Sequence, residues 1–319
     1  MWRIRSITTV TILLAAVAVA GLHAVGEQRD LSQRPTRSLP PKSWDSETER
    51  IFSQRPAALL KGVRPRIGSP GTLPDDGGPT ATDPEPSGGF AWSALISAAT
   101  VTDEIKAYRL SIAENVVNPG VFKGGGNRKL IKQFGVVATM FGIMAEHDAS
   151  ARWKDIAPGA RDAFARAGRN AKAADTNTYK ESKLRSDDLD ELVRGGSVEF
   201  DEAGEPPEWS DVTTRRALMD RLKIAYNERL KPWTASQAEF ERHRTAVKHE
   251  AEIIAALAEV IQREQFEFYD DDDYLAYCRN MQRHAQATAV AAAENNVAEA
   301  QRLLGEISKN CSSCHEGYK

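Results

Sequence analysis

Apolar residues recur with a helical period along the C-terminal half of the chain. The period of about 3.6 residues predicts four helices, over about 212–230, 236–261, 274–292 and 297–319, and no convincing alternation typical of a strand occurs. Asp211 or Thr213 is expected to cap the first helix, which should stop before Pro232. Ser236 is expected to cap the second helix, with Glu239 completing a capping box. Four amphipathic helices joined by short loops predict an antiparallel four-helix bundle.

A similar apolar rhythm runs through residues 91–200 and predicts four more helices. They are expected over about 101–116, 130–144, 158–173 and 179–193, and the last should stop at Gly195 and Gly196. The stretch 161–173 loosely echoes 278–289, as an ancient duplication would leave it. Chance likeness between alanine-rich helices is the alternative. The fold class is therefore predicted to be all-α, with a second, duplicated bundle as the candidate for the first unit.

The first 90 residues have a different composition from the helical remainder. Arg3 and Arg5 precede an apolar run over about 7–25, which predicts a signal peptide over 1–26 with Ala18-Val19-Ala20 as cleavage site. An uncleaved membrane anchor is the alternative for that run. Residues 27–90 are rich in Pro, Gly and Ser and poor in large apolar side chains, which predicts a disordered tether. The expected domains are thus 1–26, 27–90, a first helical bundle over 91–200 and a second over 205–319.

Near its C-terminal end the chain carries Cys311-Ser-Ser-Cys314-His315, which matches the C-x-x-C-H pattern of covalent haem attachment. Two cysteines three residues apart face one side of a helical turn, so both thiols can form thioethers with the haem vinyl groups. The histidine that follows then supplies an imidazole nitrogen to the iron. Cys311 and Cys314 are therefore predicted to bind one haem c, with His315 as the proximal iron ligand. The 205–319 bundle is accordingly predicted to carry haem, and the 91–200 bundle to lack it.

Structural zinc binding and thiol redox chemistry fit the cysteines less well than haem attachment. A structural zinc site needs two more thiol or imidazole ligands, usually as a second close pair, and Cys278 is the one cysteine left. A thioredoxin-like pair should open a helix after a strand, whereas this pair closes a helix. Cys278 lies on an apolar stripe and is expected to be a buried free thiol. With two of three cysteines assigned to haem, no disulfide framework is expected.

In an up-down-up-down bundle, the start of the first helix and the end of the fourth share one end. Met219 lies about 10 Å into the first helix, so its thioether is a candidate distal iron ligand opposite His315. Arg215 precedes it by one turn and is a candidate contact for a haem propionate. The alternatives are a packing role for Met219, with Met281 as the weaker candidate ligand, and a solvated charge for Arg215, with Arg216 as its competitor.

These features together resemble the class II c-type cytochromes, the cytochrome c-prime type, over about residues 211–319. The resemblance rests on C-x-x-C-H near the end of a helical bundle, on Arg215-Arg-Ala-Leu-Met219, on the segment 249–258 and on Tyr318. It implies a four-helix bundle with a propionate-binding arginine and a distal residue four positions later. In that family a distal methionine accompanies electron carriers, and an apolar distal residue accompanies five-coordinate iron that binds gases such as nitric oxide. The first 210 residues depart from the family.

The predicted function is that of an extracytoplasmic, periplasmic monohaem cytochrome that transfers electrons, and the alternative is a five-coordinate protein that binds or senses nitric oxide or carbon monoxide. No distal His–Arg pair at catalytic spacing stands out, so an enzyme is not expected. The net charge of −3 argues against a nucleic-acid partner. The expected partner is a redox protein, for which a membrane-bound complex is one candidate, and a homodimer is a further candidate assembly.

Overall fold

A computed structural model describes residues 90–203 and 207–318. The chain divides into two compact units, Met1–Ala81 and Thr82–Lys319, and every described residue belongs to the second unit. The signal peptide or anchor predicted over 1–26 and the tether predicted over 27–90 lie outside the described residues, apart from residue 90. Within the described ranges, no helix combines the length and the apolar character needed to cross a membrane.

The described residues are all-α, with no strand among them, which confirms the predicted all-α class. All eight predicted helices occur. The first four are α1 (Ala98–Asn115), α2 (Asn127–Glu146), α3 (Ala157–Asn170) and α4 (Thr176–Arg194). The last four are α5 (Arg215–Lys223, continued by a π-helical segment Ile224–Leu230 and a turn Lys231–Trp233), α6 (Gln237–Val260), α7 (Asp272–Ala293) and α8 (Val297–Gly317).

A polar side chain caps the start of six of these eight helices. Ser236 caps α6 as predicted, because its hydroxyl accepts the backbone N–H of Glu239. The predicted capping box is incomplete, since the Glu239 carboxylate accepts instead from Arg242 at 2.8 Å. At its C-terminal end, α4 stops at Gly195 as predicted. The φ of Gly195 is 100°, the left-handed conformation in which glycine commonly ends a helix.

The prediction for α5 was wrong at both ends. Thr213 is extended, and Thr214 caps the helix by accepting the N–H of Ala217, so neither Asp211 nor Thr213 is the cap. Pro232 lies within the last helical turn instead of following it. The turn before it is π-helical, and the N–H of Lys231 donates to the carbonyl five residues earlier. The regular α-helical hydrogen bonds have therefore ended before Pro232, which has no N–H to donate.

The two sets of four helices pack on each other through α2 and α5. Gly135 of α2 makes the close approach feasible, because a Cβ there would lie 2.7 Å from Oγ1 of Thr213 and 3.5 Å from Cβ of Ala217. Within the second set, α6 packs closely on α7 and α7 on α8, whereas the backbones of α5 and α8 approach each other little. The division predicted between residues 200 and 205 stays a prediction; the described helices on its two sides form one compact unit.

A buried ion-pair network joins the two sets. Arg221 of α5 donates to both oxygens of Glu104 of α1, at 2.5 and 2.9 Å, and to Glu250 of α6 at 2.7 Å. Nε2 of His249 lies 3.0 Å from the Glu104 carboxylate, and Arg229 also pairs with Glu250. The side chains of Arg221, Glu104 and Glu250 are each only 2% exposed. This network is called the Arg221 network below.

The Arg221 network shifts the pKa values of Glu104 and Arg221. Burial alone would raise the pKa of Glu104, but the charge and hydrogen bonds of Arg221, followed by those of His249, outweigh it and lower the pKa to about 2. Burial would likewise lower the pKa of Arg221, yet Glu104 and Glu250 raise it. Both groups are therefore charged at neutral pH, and each depends on the other for its neutralisation.

We expect Glu104→Gln to lower the free energy of unfolding by about 3–5 kcal/mol at pH 7, because it leaves the buried guanidinium of Arg221 with one carboxylate fewer. Chemical denaturation measures this loss. Asp103→Asn is the matched control. Its carboxylate is 62% exposed in a pair with Lys106, and the change should be within about 0.5 kcal/mol. Equal losses in the two variants would contradict the structural role of the network.

The pH dependence of stability should follow the same carboxylate. The pKa of Glu104 is lowered in the fold from an ordinary 4.5 to about 2. Its stabilisation is then complete above the ordinary value and is lost as the pH falls through the folded value. Denaturation between about pH 5 and pH 2 should show a decline of stability that Glu104→Gln reduces. An unchanged decline in the variant would assign acid lability to other groups.

Candidate functional site

The C-x-x-C-H motif lies within α8, which continues without a break to Gly317. At 100° per residue, Cys314 is offset from Cys311 by about 60° one way and His315 by about 40° the other way. All three residues line one cavity. The predicted one-sided arrangement of the motif is thus present in the structure.

This central cavity lies between α5, α6, α7 and α8 and has a volume of about 460 Å³. Such a volume is within the range of small-molecule and cofactor sites. Its walls are mostly apolar or aromatic. They include Met219, Leu222 and Tyr226 of α5, Ile254 of α6, Tyr274, Cys278 and Met281 of α7, and Ile307, Cys311, Cys314 and His315 of α8. The backbones of α5 and α8 make few contacts because this cavity lies between the two helices.

A second cavity of about 650 Å³ adjoins the first and shares Met219 and His315 with it. This mouth cavity is lined further by residues from the start of α5 and from the α6–α7 connection, including Thr214, Arg215, Arg216, Glu267 and Tyr318. Met219 and His315 thus come from different helices to a common boundary between the two cavities. Arg215 lies at the mouth, as predicted for the shared end of the bundle.

Arg215 is held at the mouth by aromatic rings and not by a full ion pair. Its guanidinium carbon lies 5.0 Å from the ring centre of Phe268 and 5.9 Å from that of Tyr274. Its Nε is 3.8 Å from Glu267, and Nη2 donates to the Tyr318 carbonyl at 3.4 Å. Nη1 is buried with no hydrogen-bond partner among the described residues. A residue that lines the mouth thus has a donor without a partner, which an anionic group bound there could satisfy.

Tyr318 anchors the chain just after the motif. Its hydroxyl donates to Asp271 at 2.7 Å, and its ring packs against Phe268, Tyr274 and Tyr277. The hydrogen bond to Asp271 raises the pKa of Tyr318 to about 12. The pKa of Asp271 is lowered by the backbone N–H of Tyr274 and then by this hydroxyl. The sequence singled out Tyr318 as an aromatic after the motif, but it did not identify Asp271 as its partner.

The three thiols are protonated at neutral pH. Burial raises the pKa of Cys311 to about 11 and that of Cys278 to about 12, and it also raises the pKa of Cys314. A reactive C-x-x-C pair shows the opposite shift, because a helix N-terminus stabilises its thiolate. Here the pair lies in the last turns of α8, where the helix dipole disfavours a thiolate. All three cysteines are free, so no disulfide framework forms among the described residues.

Three of the described histidines have structural contacts. His249 belongs to the Arg221 network, His147 lies 2.9 Å from the Ile96 carbonyl, and His243 stacks on Trp233. None of them, nor His284, lines the central cavity.

In the described ranges, one group of three potential metal-ligating side chains has its ligand atoms within 4.8 Å of one another. It consists of Glu104, His249 and Glu250. Arg221 already neutralises both of these carboxylates. This arrangement therefore fits an ion-pair network better than a metal site.

Comparisons with protein-family models, with curated proteins and with solved structures gave no match for this chain. The resemblance to class II c-type cytochromes therefore rests on the residues of the motif and of α5, and it stays a prediction.

The anchor of the chain end can be tested through Asp271, which caps α7 and holds Tyr318. We expect Asp271→Ala to lower the free energy of unfolding by about 1 kcal/mol or more, because the cap and the side-chain bond are lost together. Asp270→Ala is the matched control, since Asp270 is exposed and lies before the cap. Thermal and chemical denaturation of both variants measure the difference, and similar values would contradict the anchoring role.

Proposed function

We propose that this protein is a monohaem c-type cytochrome that carries electrons outside the cytoplasm. Cys311 and Cys314 would hold the haem by two thioethers, and His315 would be the proximal iron ligand. The single observation that carries the proposal is that these three residues lie on one unbroken helix and line one largely apolar cavity of about 460 Å³. A zinc or dithiol site would not need such a cavity.

The surroundings of the motif fit this cofactor in two further respects. The imidazole of His315 is exposed beside the cavity and makes no hydrogen bond with the described residues, so it is available as a ligand. The buried, unpartnered Nη1 of Arg215 is the kind of donor that a propionate requires. Arg215 is therefore proposed as the propionate contact in preference to Arg216, whose side chain is exposed.

Bound haem supplies an iron that alternates between the ferric and ferrous states. The chain's own residues set the conditions for that exchange. The apolar walls from α5 to α8 would exclude water from a bound haem and lower the dielectric constant around it. Arg215 adds a fixed positive charge at the mouth. The hydrogen bond from Tyr318 to Asp271 fixes the end of α8 and would thereby keep His315 in position.

An electron carrier is proposed in preference to an enzyme because the described cavity lining has no second histidine for acid–base catalysis. Apart from His315, the central cavity offers no histidine that could act as a distal acid or base. It offers the thioether of Met219, which is a good ligand for ferrous iron. The extracytoplasmic location and the membrane-bound partner are proposals from the sequence alone.

Covalent attachment is tested by acid–acetone extraction of the protein expressed with haem-maturation machinery. We expect the haem to stay on the unaltered protein and on Cys278→Ala, because Cys278 lines the cavity but lies outside the motif. The double variant Cys311→Ala, Cys314→Ala should release any haem that it binds into the organic phase. Release from the unaltered protein, or zinc without a Soret band, would contradict the proposal.

Ligation by Met219 decides between an electron carrier and the alternative, a five-coordinate protein that binds nitric oxide or carbon monoxide. Met219 is half-buried at the boundary of both cavities, whereas Met281 lines the central cavity alone. We expect low-spin ferric EPR and a sulfur-to-iron charge-transfer band, both lost in Met219→Ala and retained in Met281→Ala. A high-spin, five-coordinate spectrum in the unaltered protein would favour gas binding.

A further inference from the structure

A groove of about 1030 Å³ on the described surface has only basic residues among its charged lining side chains. Arg128, Lys129 and Lys132 come from the start of α2, Lys172 follows α3, and Arg216 belongs to α5. No carboxylate lines this basic groove, although the whole chain has a net charge of −3. The helix dipole of α2 adds partial positive charge at the same place.

Most of these cations are unpaired. Lys132 pairs with Asp220, but Arg128, Lys129, Lys172 and Arg216 form no ion pair with any residue that the structure describes. All four are exposed. Unpaired charges of one sign repel one another and destabilise a fold modestly, so their clustering points to an external anionic partner.

The segment before α2, Phe122–Gly126, is a π-helical turn that is kinked at Gly125. Gly125 has a φ of 126°, which side chains rarely adopt, and a Cβ on Gly126 would lie 2.7 Å from the Asn115 carbonyl oxygen and 2.9 Å from that of Val121. The tight turn at these two glycines brings the start of α2 beside Lys172 and α5. Gly124, by contrast, has open space around it and leaves the groove accessible.

The basic groove borders the mouth cavity, since Thr214 and Arg216 line both. The mouth cavity is also lined by Met219 and His315. Acidic groups belong to the same mouth, because Glu267 lines it and Asp271 accepts a hydrogen bond from Tyr318, which lines it as well. An anionic surface would be attracted by the groove and repelled by these carboxylates, which would restrict its orientation.

We propose that the basic groove is the docking surface for the acidic face of a redox partner protein. This inference rests on the proposed function and assigns a role to the helical unit that lacks the motif, since that unit supplies four of the five cations. A small anion fits the groove less well. Fixed, buried donors hold such ligands, whereas these side chains are exposed and spread over three segments.

The test compares two charge-reversed variants of the holoprotein. The groove variant is Lys129→Glu, Lys172→Glu, and the control is Lys231→Glu, Arg244→Glu, which gives the same change in net charge. Lys231 and Arg244 are exposed and without ion pairs among the described residues. Lys231 lies 15 residues after Arg216 on the same helix, about 22 Å along its axis.

The probe is flavodoxin hydroquinone, a small acidic protein that gives up one electron. It becomes the semiquinone while ferric iron becomes ferrous, so stopped-flow absorbance gives the rate and calorimetry gives the binding constant. The comparison is made at about 10 mM ionic strength, where the Debye length is about 30 Å. We expect the reduction rate and the association constant to fall about tenfold or more in the groove variant, and less than about twofold in the control. Near 1 M salt the variants should converge with the unaltered protein.

Further measurements distinguish the possible outcomes. Reduction by neutral lumiflavin semiquinone should be unchanged in both variants, because neither alters the central cavity. Equal losses in the groove variant and the control would overturn the docking surface, and so would loss of binding to phosphatidylglycerol vesicles without loss of flavodoxin binding. Absence of a Soret band would instead reject the proposed function, while calorimetry, which needs no haem, would still test the groove.

Discussion

The position of α5 depends on one buried cation, Arg221. Its guanidinium bonds to a carboxylate of α1 and to a carboxylate of α6, so it ties the two sets of helices together at the point where α5 crosses them. A buried guanidinium without these partners would be strongly unfavourable, which restricts α5 to the arrangement in which both carboxylates reach it. Because Met219 lies two residues earlier, about 200° around the helix, this restriction turns Met219 towards the central cavity.

The candidate site is therefore assembled from elements that are fixed in different ways. The motif needs only α8, since helical periodicity places Cys311, Cys314 and His315 on one side. Met219 and Arg215 need α5 to be held apart from α8, and the Arg221 network and the close α2–α5 packing hold it there. The pair of Tyr318 and Asp271 then joins the end of α8 to the start of α7.

The first four helices contribute charge and support to this site. Glu104 neutralises the buried cation of α5, and Gly135 allows α2 to approach the start of that helix. The positive side chains at the start of α2 lie beside the mouth. Glu267 lines the mouth as well, so charges of both signs surround it, and an uneven field of this kind orients an approaching partner before contact.

The sequence by itself determined the helical fold class, the eight helices, the cap at Ser236, the stop at Gly195 and the one-sided motif, because each of these depends on local periodicity or on neighbouring side chains. It misplaced both ends of α5, where a second threonine and a π-helical turn compete with the simplest local pattern. Glu250 lies among apolar positions of α6, three residues after Val247 and four before Ile254, and a charge there could have signalled a buried pair. Its partner Arg221 lies on another helix, 29 residues earlier, and the second carboxylate of the network, Glu104, lies 117 residues from Arg221, so local patterning could not pair them. Only the tertiary structure decided the cavity, the unpartnered donor of Arg215 and the basic groove, because each arises where distant helices meet.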